Sequence, residues 1–340
     1  MNYVVSESIP VELWDSYVFT HPDSSFFHLS GWESVFQQAF KHRTHYIGVY
    51  SHQELRGVLP LVRVKSLLFG NYLSSLPFCS NCGVLASDNE AYKMLIEYAT
   101  QLSQQNNVDY LELRNQRKAE GDWSTKDLYV GFKKEILNDE NKNFKNIPRK
   151  QRAVIRKAMG DQLISKEEKN VDSFYFAYSS SVRNLGTPVF SKKYFQKLQK
   201  VFGENCRILS IYKDDKILSS VMSFYFKDEV LPYYGGGISM ARNLRANDFM
   251  YWELMRRSAF QGIGVFDFGR SKVDSGSYRF KKHWGFVPEP LYYQYKVFNG
   301  SEMPNLSPTN PKYKLLINLW GRMPLALANS LGPFVSRYLG

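Results

Sequence analysis

The feature that most constrains the fold of this chain is an order of predicted elements that occurs twice. In each half, two helices lead into a pair of strands, a third strand, a further helix and a last strand, which ends at Arg114 in the first half and begins at Val265 in the second. A chain of this length is expected to form two domains of about 150 residues each. The repeat therefore predicts two copies of one mixed α and β architecture, without the regular strand–helix alternation of a doubly wound sheet.

Hydrophobic periodicity and turn residues define these elements. The predicted helices cover residues 10–19, 91–105, 173–185, 192–202 and about 248–260, with one more from about residue 31, and the predicted strands cover 46–50, 55–64, 73–78, 110–114, 206–212, 217–226 and 230–234. Polar residues at His52–Glu54 and at Asp214–Asp215 mark the turns inside the two strand pairs.

The composition is that of a globular protein with a strong positive charge. The net charge is +12 and the pI is near 9.3, which indicates attraction to polyanions such as nucleic acid, phosphorylated substrates or an anionic membrane face. Aromatic residues make up 16% of the chain, which favours β-rich packing and shaped pockets. No signal-peptide pattern or membrane-spanning apolar run is present, so we expect a cytoplasmic protein.

The three cysteines argue against a disulfide framework, because their number is odd. Cys79 and Cys82 form a CxxC motif, but only Cys206 remains to complete a zinc site, and no histidine pair has ligand spacing. We therefore expect no metal; Cys79 and Cys82 are either a redox pair or, as we expect, two packing cysteines.

The stretch Gly262–Phe286, GIGVFDFGRSKVDSGSYRFKKHWGF, carries the most suggestive chemistry. Val265, Phe266 and Phe268 predict a buried strand, in which Asp267 is either on the opposite face or a carboxylate in apolar surroundings. Cations then alternate with large rings, a pattern that suits an anionic, partly apolar ligand. An ordinary core strand followed by a solvated basic loop fits the same residue types.

Two further segments are basic. Residues 142–157 contain no acidic residue, and a helix there would place Arg149, Arg152 and Arg156 on one face, either as a solvated linking helix or as a phosphate-contacting one. After a linker rich in Pro, Asn and Ser, residues 313–340 predict two short amphipathic helices broken at Gly321 and Pro324. This tail would pack on the body of the protein or lie on an anionic membrane surface.

A set of motifs spread over almost the whole chain resembles the FemAB-type acyltransferases. The motifs are Tyr233–Gly237 (YYGGG), Phe266–Lys272 (FDFGRSK), Phe280–Phe286 (FKKHWGF), Arg183–Pro188 (RNLGTP), Gly57–Val62 (GVLPLV), Leu68–Gly70 (LFG) and Pro308–Tyr313 (PTNPKY). Within that family they are most similar to the FemAB-related proteins associated with PEP-CTERM/exosortase systems and exopolysaccharide loci.

The resemblance implies an α/β (α+β) fold of two tandem GNAT-like domains, each a mixed, mostly antiparallel sheet flanked by helices. The first domain would span 1–147, and the second, with the catalytic motifs, 148–300. Residues 301–340 would form the C-terminal linker and helical tail. The implied function is transfer of an acyl or aminoacyl group from an activated ester or thioester to an amine on a cell-envelope, peptidoglycan or exopolysaccharide precursor.

The resemblance also implies residue roles. Phe280 and Lys281 would hold the reacting end of the donor, with Lys281 polarising its carbonyl. This agrees with the chemistry, because amine attack on an ester or thioester builds negative charge on oxygen that a fixed ammonium stabilises. Asp267 would orient Arg270, accept a proton from the attacking amine or be a structural carboxylate, and Tyr234 is either a proton relay or a core tyrosine. The other donor-binding candidates are Arg270, Ser271, Gly236, Gly237, Arg242, Arg245 and Trp284, and the acceptor-binding candidates are Arg63, Tyr72, Arg152 and Tyr233.

The donor remains open between acyl-CoA, an acyl-carrier thioester and aminoacyl-tRNA. GNAT enzymes that use acyl-CoA usually have a glycine-rich phosphate loop, whereas the corresponding segment here, Arg242–Asp248, contains no glycine. The acceptor would be an amine-bearing sugar or peptide precursor, lipid-linked or free, at the inner face of the cytoplasmic membrane. The alternative function is a non-catalytic basic protein that binds nucleic acid or anionic phospholipid.

Overall fold

The computed structural model describes residues 2–66, 69–116, 118, 123–301 and 311–339. Its helices are α1 Val11–Thr20, α2 Gly31–Val35, α3 Asn89–Gln105, α4 Glu140–Lys145, α5 Arg149–Met159, α6 Asp172–Asn184, α7 Lys192–Phe202, α8 Ser239–Asn243, α9 Ala246–Phe260, α10 Gly276–His283, α11 Pro311–Arg322 and α12 Leu325–Ser336. Leu68, Pro308–Asn310 and most of the predicted linker lie outside the described residues.

The strands are β1 Tyr3–Ser6, β2 Arg43–Ser51, β3 Glu54–Ser66, β4 Gly70–Ser74, β5 Leu85–Ala86, β6 Tyr110–Asn115, β7 Ser124–Lys126, β8 Tyr129–Gly131, β9 Lys133–Glu135, β10 Ile164–Glu168, β11 Cys206–Lys213, β12 Lys216–Phe226, β13 Glu229–Gly237, β14 Val265–Asp267, β15 Ser271–Lys272, β16 Glu289–Pro290 and β17 Tyr292–Val297. The chain forms two compact units. Unit 1 is Met1–Tyr129, Pro290–Leu306 and Arg337–Gly340, and unit 2 is Val130–Glu289 and Ser307–Ser336.

The sheet of unit 1 has the order β1-β2-β3-β4-β6-β17-β7, with β5 paired to β3. Only β4 and β6 run parallel among the pairs described, and α3 connects them and packs on the sheet. Alternation along β2, β3 and β6 directs apolar side chains to α3, whose Ala91, Leu95 and Ala99 complete the core.

The sheet of unit 2 has the order β10-β11-β12-β13-β14-β9. Here too one described pair is parallel, β13 with β14, and a helix, α9, connects its strands. The core lies between this sheet and α5 and α9, around Ile155, Val221, Trp252 and Phe266. Each unit is thus a mixed, mostly antiparallel sheet flanked by helices.

The compact units differ from the predicted domain boundaries at both ends of unit 2. Lys133–Glu135, predicted to belong to the first domain, forms β9 and pairs with β14 of unit 2. Residues 292–297, predicted to belong to the second domain, form β17 and pair with β6 of unit 1. The tail helices α11 and α12 pack against α6. Pro324 separates them as predicted, whereas Gly321 lies within α11.

Candidate active site

The sheet of unit 2 opens between β13 and β14. These parallel strands pair only at Glu229–Val265 and Val230–Phe266, although β13 continues to Gly237 and stays paired with β12 on its other side. Among the described residues, the edge of β13 that faces β14 therefore has no strand partner beyond Val230. Backbone groups along such an edge can bind an extended ligand as an added strand.

A β-bulge lies in β13 at this opening. The register shifts by one residue between Met222 and Ser223 of β12, which makes Tyr233 an extra residue in β13. A Cβ placed on Gly269 would lie 3.9 Å from Cδ2 of Tyr233, so this ring is next to the loop that follows β14. Gly269 has a φ of +67°, a left-handed conformation that glycine adopts without strain.

Helix α10 brings Lys281 back to that loop. The helix begins at a serine cap, in which Ser275 Oγ accepts a hydrogen bond from the Tyr278 amide. The side chain of Lys281 is only 8% exposed, and its Nζ donates to the carbonyl oxygens of Gly269 at 3.0 Å and Arg270 at 2.9 Å. The third N–H of an ammonium there has no acceptor among the described residues.

Burial makes Lys281 titrate near neutrality. Loss of water around the ammonium lowers its pKa to about 7, although the nearby Asp267 carboxylate opposes this shift; the Arg270 cation lowers it further. A side chain with this pKa can hold its proton at neutral pH and exchange it readily.

Asp267 belongs to a row of alternating charges. Its Oδ1 accepts a hydrogen bond from the Gly269 amide at 2.7 Å, and its Oδ2 lies 3.6 Å from Lys133 Nζ, which also contacts Glu229 Oε1 at 2.5 Å. Burial raises the pKa of Asp267, and the Glu229 charge adds to this, whereas Lys133, the Gly269 amide and Lys281 oppose it. Burial lowers the pKa of Lys133, but its two carboxylate neighbours outweigh this and raise it overall. Asp267 therefore fixes the same loop whose carbonyls hold Lys281.

Aromatic rings cover the site on the side of α9 and α10. Tyr251 of α9 packs against Phe268, Phe280 and Trp284, with ring centroids 5.0, 5.6 and 6.4 Å apart. Burial raises the pKa of Tyr251 to about 12. Its hydroxyl would lie 2.9 Å from a Cβ on Gly235, so glycine there allows the phenol to reach β13.

Six residues predicted for the site come together in the segment from β14 to α10. Ser271 is 3% exposed, and its hydroxyl has no hydrogen-bond partner among the described residues. Ser271 directly follows Arg270, whose carbonyl binds Lys281, so its unsatisfied hydroxyl is suited to donate a hydrogen bond to a ligand oxygen. The six residues are Asp267, Arg270, Ser271, Phe280, Lys281 and Trp284.

Tyr234 lies elsewhere in unit 2. Its hydroxyl forms a 2.7 Å hydrogen bond with that of Tyr194, and its ring packs among Phe195 and other buried rings. Tyr233 has its ring beside the Gly269 loop, whereas the ring of Tyr234 packs against α6 and α7. The structure thus favours the predicted alternative of a core tyrosine.

The two glycines predicted to bind the donor lie where close packing leaves no room for a side chain. A Cβ on Gly236 would clash with Ser181 of α6, at 2.5 Å from its Cβ. A Cβ on Gly237 would lie 2.8 Å from Ala241 Cβ and from Asn247 Oδ1. Both residues let helices approach β13 closely, and their role toward a donor stays a prediction.

The three arginines predicted on helices of unit 2 differ in their surroundings. Arg242 on α8 is exposed. Arg245, just before α9, lies 3.6 Å from Asp161 and donates to the Asn243 carbonyl. Arg152 on α5 has a buried Nε without a partner among the described residues.

Both unit 1 residues predicted to bind the acceptor have structural partners. Arg63 donates to the side chain of Asn71 and to both oxygens of Asn106, which ties β3 to the end of α3. Tyr72 is 1% exposed and stacks on Tyr110 at 4.7 Å. Neither side chain is free to turn toward a ligand without losing these contacts.

Lys133, Glu229 and Tyr251 also line the site, and sequence reasoning did not select them. Lys133 lies in a polar segment, and its partners are distant in sequence. The strand-forming run Tyr129–Phe132 just before it is the one local signal that could have predicted β9.

Comparison with known proteins identifies a matching domain family and solved structures with a similar fold. Residues 141–282 match the model of a GNAT acetyltransferase domain family. The solved structure of FemX aligns with a TM-score of 0.68 and 13% identity over 93% of this chain and 100% of that one. A tandem GNAT protein from the clavulanic acid biosynthesis pathway aligns with a TM-score of 0.57 and 11% identity over 88% and 99%. No curated protein sequence matches this chain.

A third solved structure shares the fold. It is the C-terminal domain of a putative lysylphosphatidylglycerol synthetase from Agrobacterium fabrum, with a TM-score of 0.57 and 12% identity over 85% of this chain and 91% of that one. Together these findings define the class by its fold: residues 141–282 match a GNAT acetyltransferase domain, and the chain has a tandem GNAT fold. The resemblance to FemAB-type proteins is confirmed at the level of fold and domain, and the link to PEP-CTERM systems stays a prediction.

Proposed function

We propose that this protein is an N-acyltransferase that moves an acyl or aminoacyl group from an activated ester or thioester to an amine on a cell-envelope or exopolysaccharide precursor. The observation that carries the proposal is Lys281, a buried cation held by two carbonyls beside the opening between β13 and β14. A cation that served only a flat basic surface would be exposed, whereas this one is 8% exposed.

The chemistry follows from this placement. The nitrogen lone pair of the acceptor attacks the carbonyl carbon of the donor, and the carbonyl electrons move to oxygen. The third N–H of Lys281 donates to that oxyanion and stabilises it. When the carbonyl re-forms, the thiolate or alkoxide leaves, and the nitrogen gives up its proton to water or to a basic group. Asp267 acts here as a positioning residue, since it holds the Gly269 amide while the Gly269 carbonyl holds Lys281.

The unpaired edge of β13 favours a thioester donor. An extended arm with amide groups, such as the pantetheine arm shared by CoA and acyl-carrier proteins, can hydrogen-bond to that edge as an added strand. GNAT proteins generally use acyl-CoA. Arg242 is exposed near the end of β13 and is available for donor phosphates, as are the cations of α5. Aminoacyl-tRNA stays a candidate on charge alone.

A transfer assay tests the proposal. The protein is incubated with acyl-CoA, an acylated carrier protein or aminoacyl-tRNA and with amino sugars or peptide precursors, and released thiol or tRNA and acylated product are measured. Ligands retained on the purified protein are identified by mass spectrometry to choose the panel. Product that forms with wild type and not with Lys281→Met supports the proposal; product that forms equally with both removes Lys281 from the mechanism.

The pH dependence of transfer should reflect Lys281. Because its pKa is lowered to about 7 and the protonated form is the one that stabilises the oxyanion, kcat/KM for the donor should fall as the pH rises through about 7. Arginine stays charged, so any activity left in Lys281→Arg should lack this falling limb. A falling limb near pH 10 in wild type, or NMR titration of the Lys281 side chain near its ordinary pKa, would contradict the assignment.

A further inference from the structure

Helix α12 packs with its small residues inward and its large apolar residues outward. Ala328 and Ser336 are 1% and 3% exposed, and Gly332 between them is also buried. On the outer face, Leu331 is 43% and Phe334 68% exposed. A helix that only completes a protein core buries its large apolar side chains, so this orientation indicates a second apolar surface outside the chain.

The inward face is fixed by close contacts that a larger residue would not allow. A Cβ on Gly332 would lie 2.8 Å from the carbonyl oxygen of Val189. Asn329 donates to Ser179 Oγ of α6 at 3.4 Å. The leucines therefore cannot turn inward without separating α12 from α6.

Helix α11 also exposes large apolar side chains. Leu316 is 59% and Leu319 57% exposed, whereas Ile317 between them packs against Gly186 at the end of α6. We call the exposed set the tail patch. It consists of Leu316, Leu319, Leu327, Leu331 and Phe334.

The positive charge of the tail indicates what kind of surface would bind the tail patch. Residues 303–340 contain no Asp or Glu and four cations, Lys312, Lys314, Arg322 and Arg337. A second copy of the chain would bring the same positive charges together, whereas an anionic lipid surface offers both apolar chains and negative headgroups. None of the described helices is long and apolar enough to cross a membrane.

We propose that the tail patch inserts into the surface of an anionic bilayer. The patch leucines and Phe334 would lie among the headgroups and upper acyl chains, and the exposed Arg322 would contact lipid phosphates. This inference is independent of the transferase activity, because it concerns α11, α12 and α6 and is measured as binding.

The test is flotation of the full-length protein with vesicles of phosphatidylcholine, with and without phosphatidylglycerol. Wild type should float with the anionic vesicles, less at high salt, and the double variant Leu331→Ser, Phe334→Ser should bind at least about tenfold more weakly. Both side chains are exposed, so the variant should keep its melting temperature. The matched control is Phe260→Ser, since Phe260 is 85% exposed at the end of α9 and should be replaceable without effect on binding.

Two results would overturn the proposal. One is wild type that stays at the bottom of the gradient with phosphatidylglycerol vesicles, or a double variant that floats as well as wild type. The other is a wild-type dimer in sedimentation experiments that ignores vesicles and that the double variant dissociates, since the patch would then be an interface between copies of this chain.

Discussion

Lys281→Met is expected to lower acyl transfer by at least about a hundredfold and to leave the fold intact. Removal of one donor to a developing oxyanion commonly costs about 3 kcal/mol of barrier. Methionine fills much of the same space and packs against Phe132, over whose ring the Lys281 ammonium now lies at 5.4 Å from the centroid. The loss should appear in kcat more than in KM, because the interaction forms in the transition state.

The same variant should be more stable than wild type. The folded protein lowers the pKa of Lys281 from 10.5 to about 7, so between these values the unfolded chain binds more protons than the folded one. Wild-type stability should therefore rise with pH across this window, and the buried charge is a stability cost that is largest at and below pH 7. Methionine removes that cost but leaves the Gly269 and Arg270 carbonyls without this donor, so the net gain near neutral pH should be roughly 1–3 kcal/mol and should shrink toward pH 10.

Transfer rates and urea unfolding at several pH values measure both effects, with Lys282→Met as the control. Lys282 is the next residue of α10 but is exposed, so its replacement should change neither property by much. Turnover by Lys281→Met close to that of Lys282→Met would remove the electrostatic role. Loss of activity together with a large loss of stability would mean that Lys281 is structural.

Local patterns predicted most of the elements. Helix α7 covers its predicted range, residues 192–202, and β12 differs from its predicted range by one residue. The two strand pairs were predicted from the polar residues between them. In the structure, His52 and Gln53, and likewise Asp214 and Asp215, have the left-handed conformation of a tight two-residue turn.

Long-range pairing could not be predicted from local sequence. Strand β9 is three residues long and is stabilised by β14, whose residues lie more than a hundred positions later. Strand β17 returns to β6 after the whole of unit 2. Such short strands have little periodicity of their own, so neither was predicted, and the residues of each were assigned to the wrong domain.

Only part of the site was predicted, because some of its residues are brought in by long-range pairing. Asp267, Phe280 and Lys281 lie within one continuous motif, and the structure brings them together. Tyr233 and Tyr234 differ by one position, and only the bulge in β13 and its register show which ring lies beside the Gly269 loop. Lys133 joins the site through tertiary pairing alone.

The second large expected effect is on the stability of unit 1, which has a buried carboxylate in its own parallel strand pair. Glu112 lies at the last paired position of β6, where its oxygens accept from Ser74, Tyr295 and Arg114. Glu112 and Arg114 are 5% and 1% exposed. Arg114→Met should lower the free energy of unfolding by about 3–5 kcal/mol, because the carboxylate stays buried without its cation.

The pH dependence separates this cause from simple loss of packing. Burial raises the pKa of Glu112, but Arg114 and the two hydroxyl donors outweigh it and hold the pKa below its ordinary value. Wild type therefore gains stability from this carboxylate above that value and loses it as the pH falls. In Arg114→Met the pKa of Glu112 should instead rise above its ordinary value, because burial is no longer opposed by the cation. Protonation in acid then removes the buried charge, so the difference in unfolding free energy between variant and wild type should become smaller at low pH.

A double variant, Glu112→Gln with Arg114→Met, completes the experiment in urea unfolding. A neutral amide can still bond to Ser74 and Tyr295, so the double variant should recover much of the stability that Arg114→Met loses. If it is no more stable than Arg114→Met, the loss comes instead from the stacking of Arg114 on Tyr293 and from its hydrogen bond to the Cys79 carbonyl. The stability of this part of unit 1 would then depend on those contacts of Arg114 and not on the charge of Glu112.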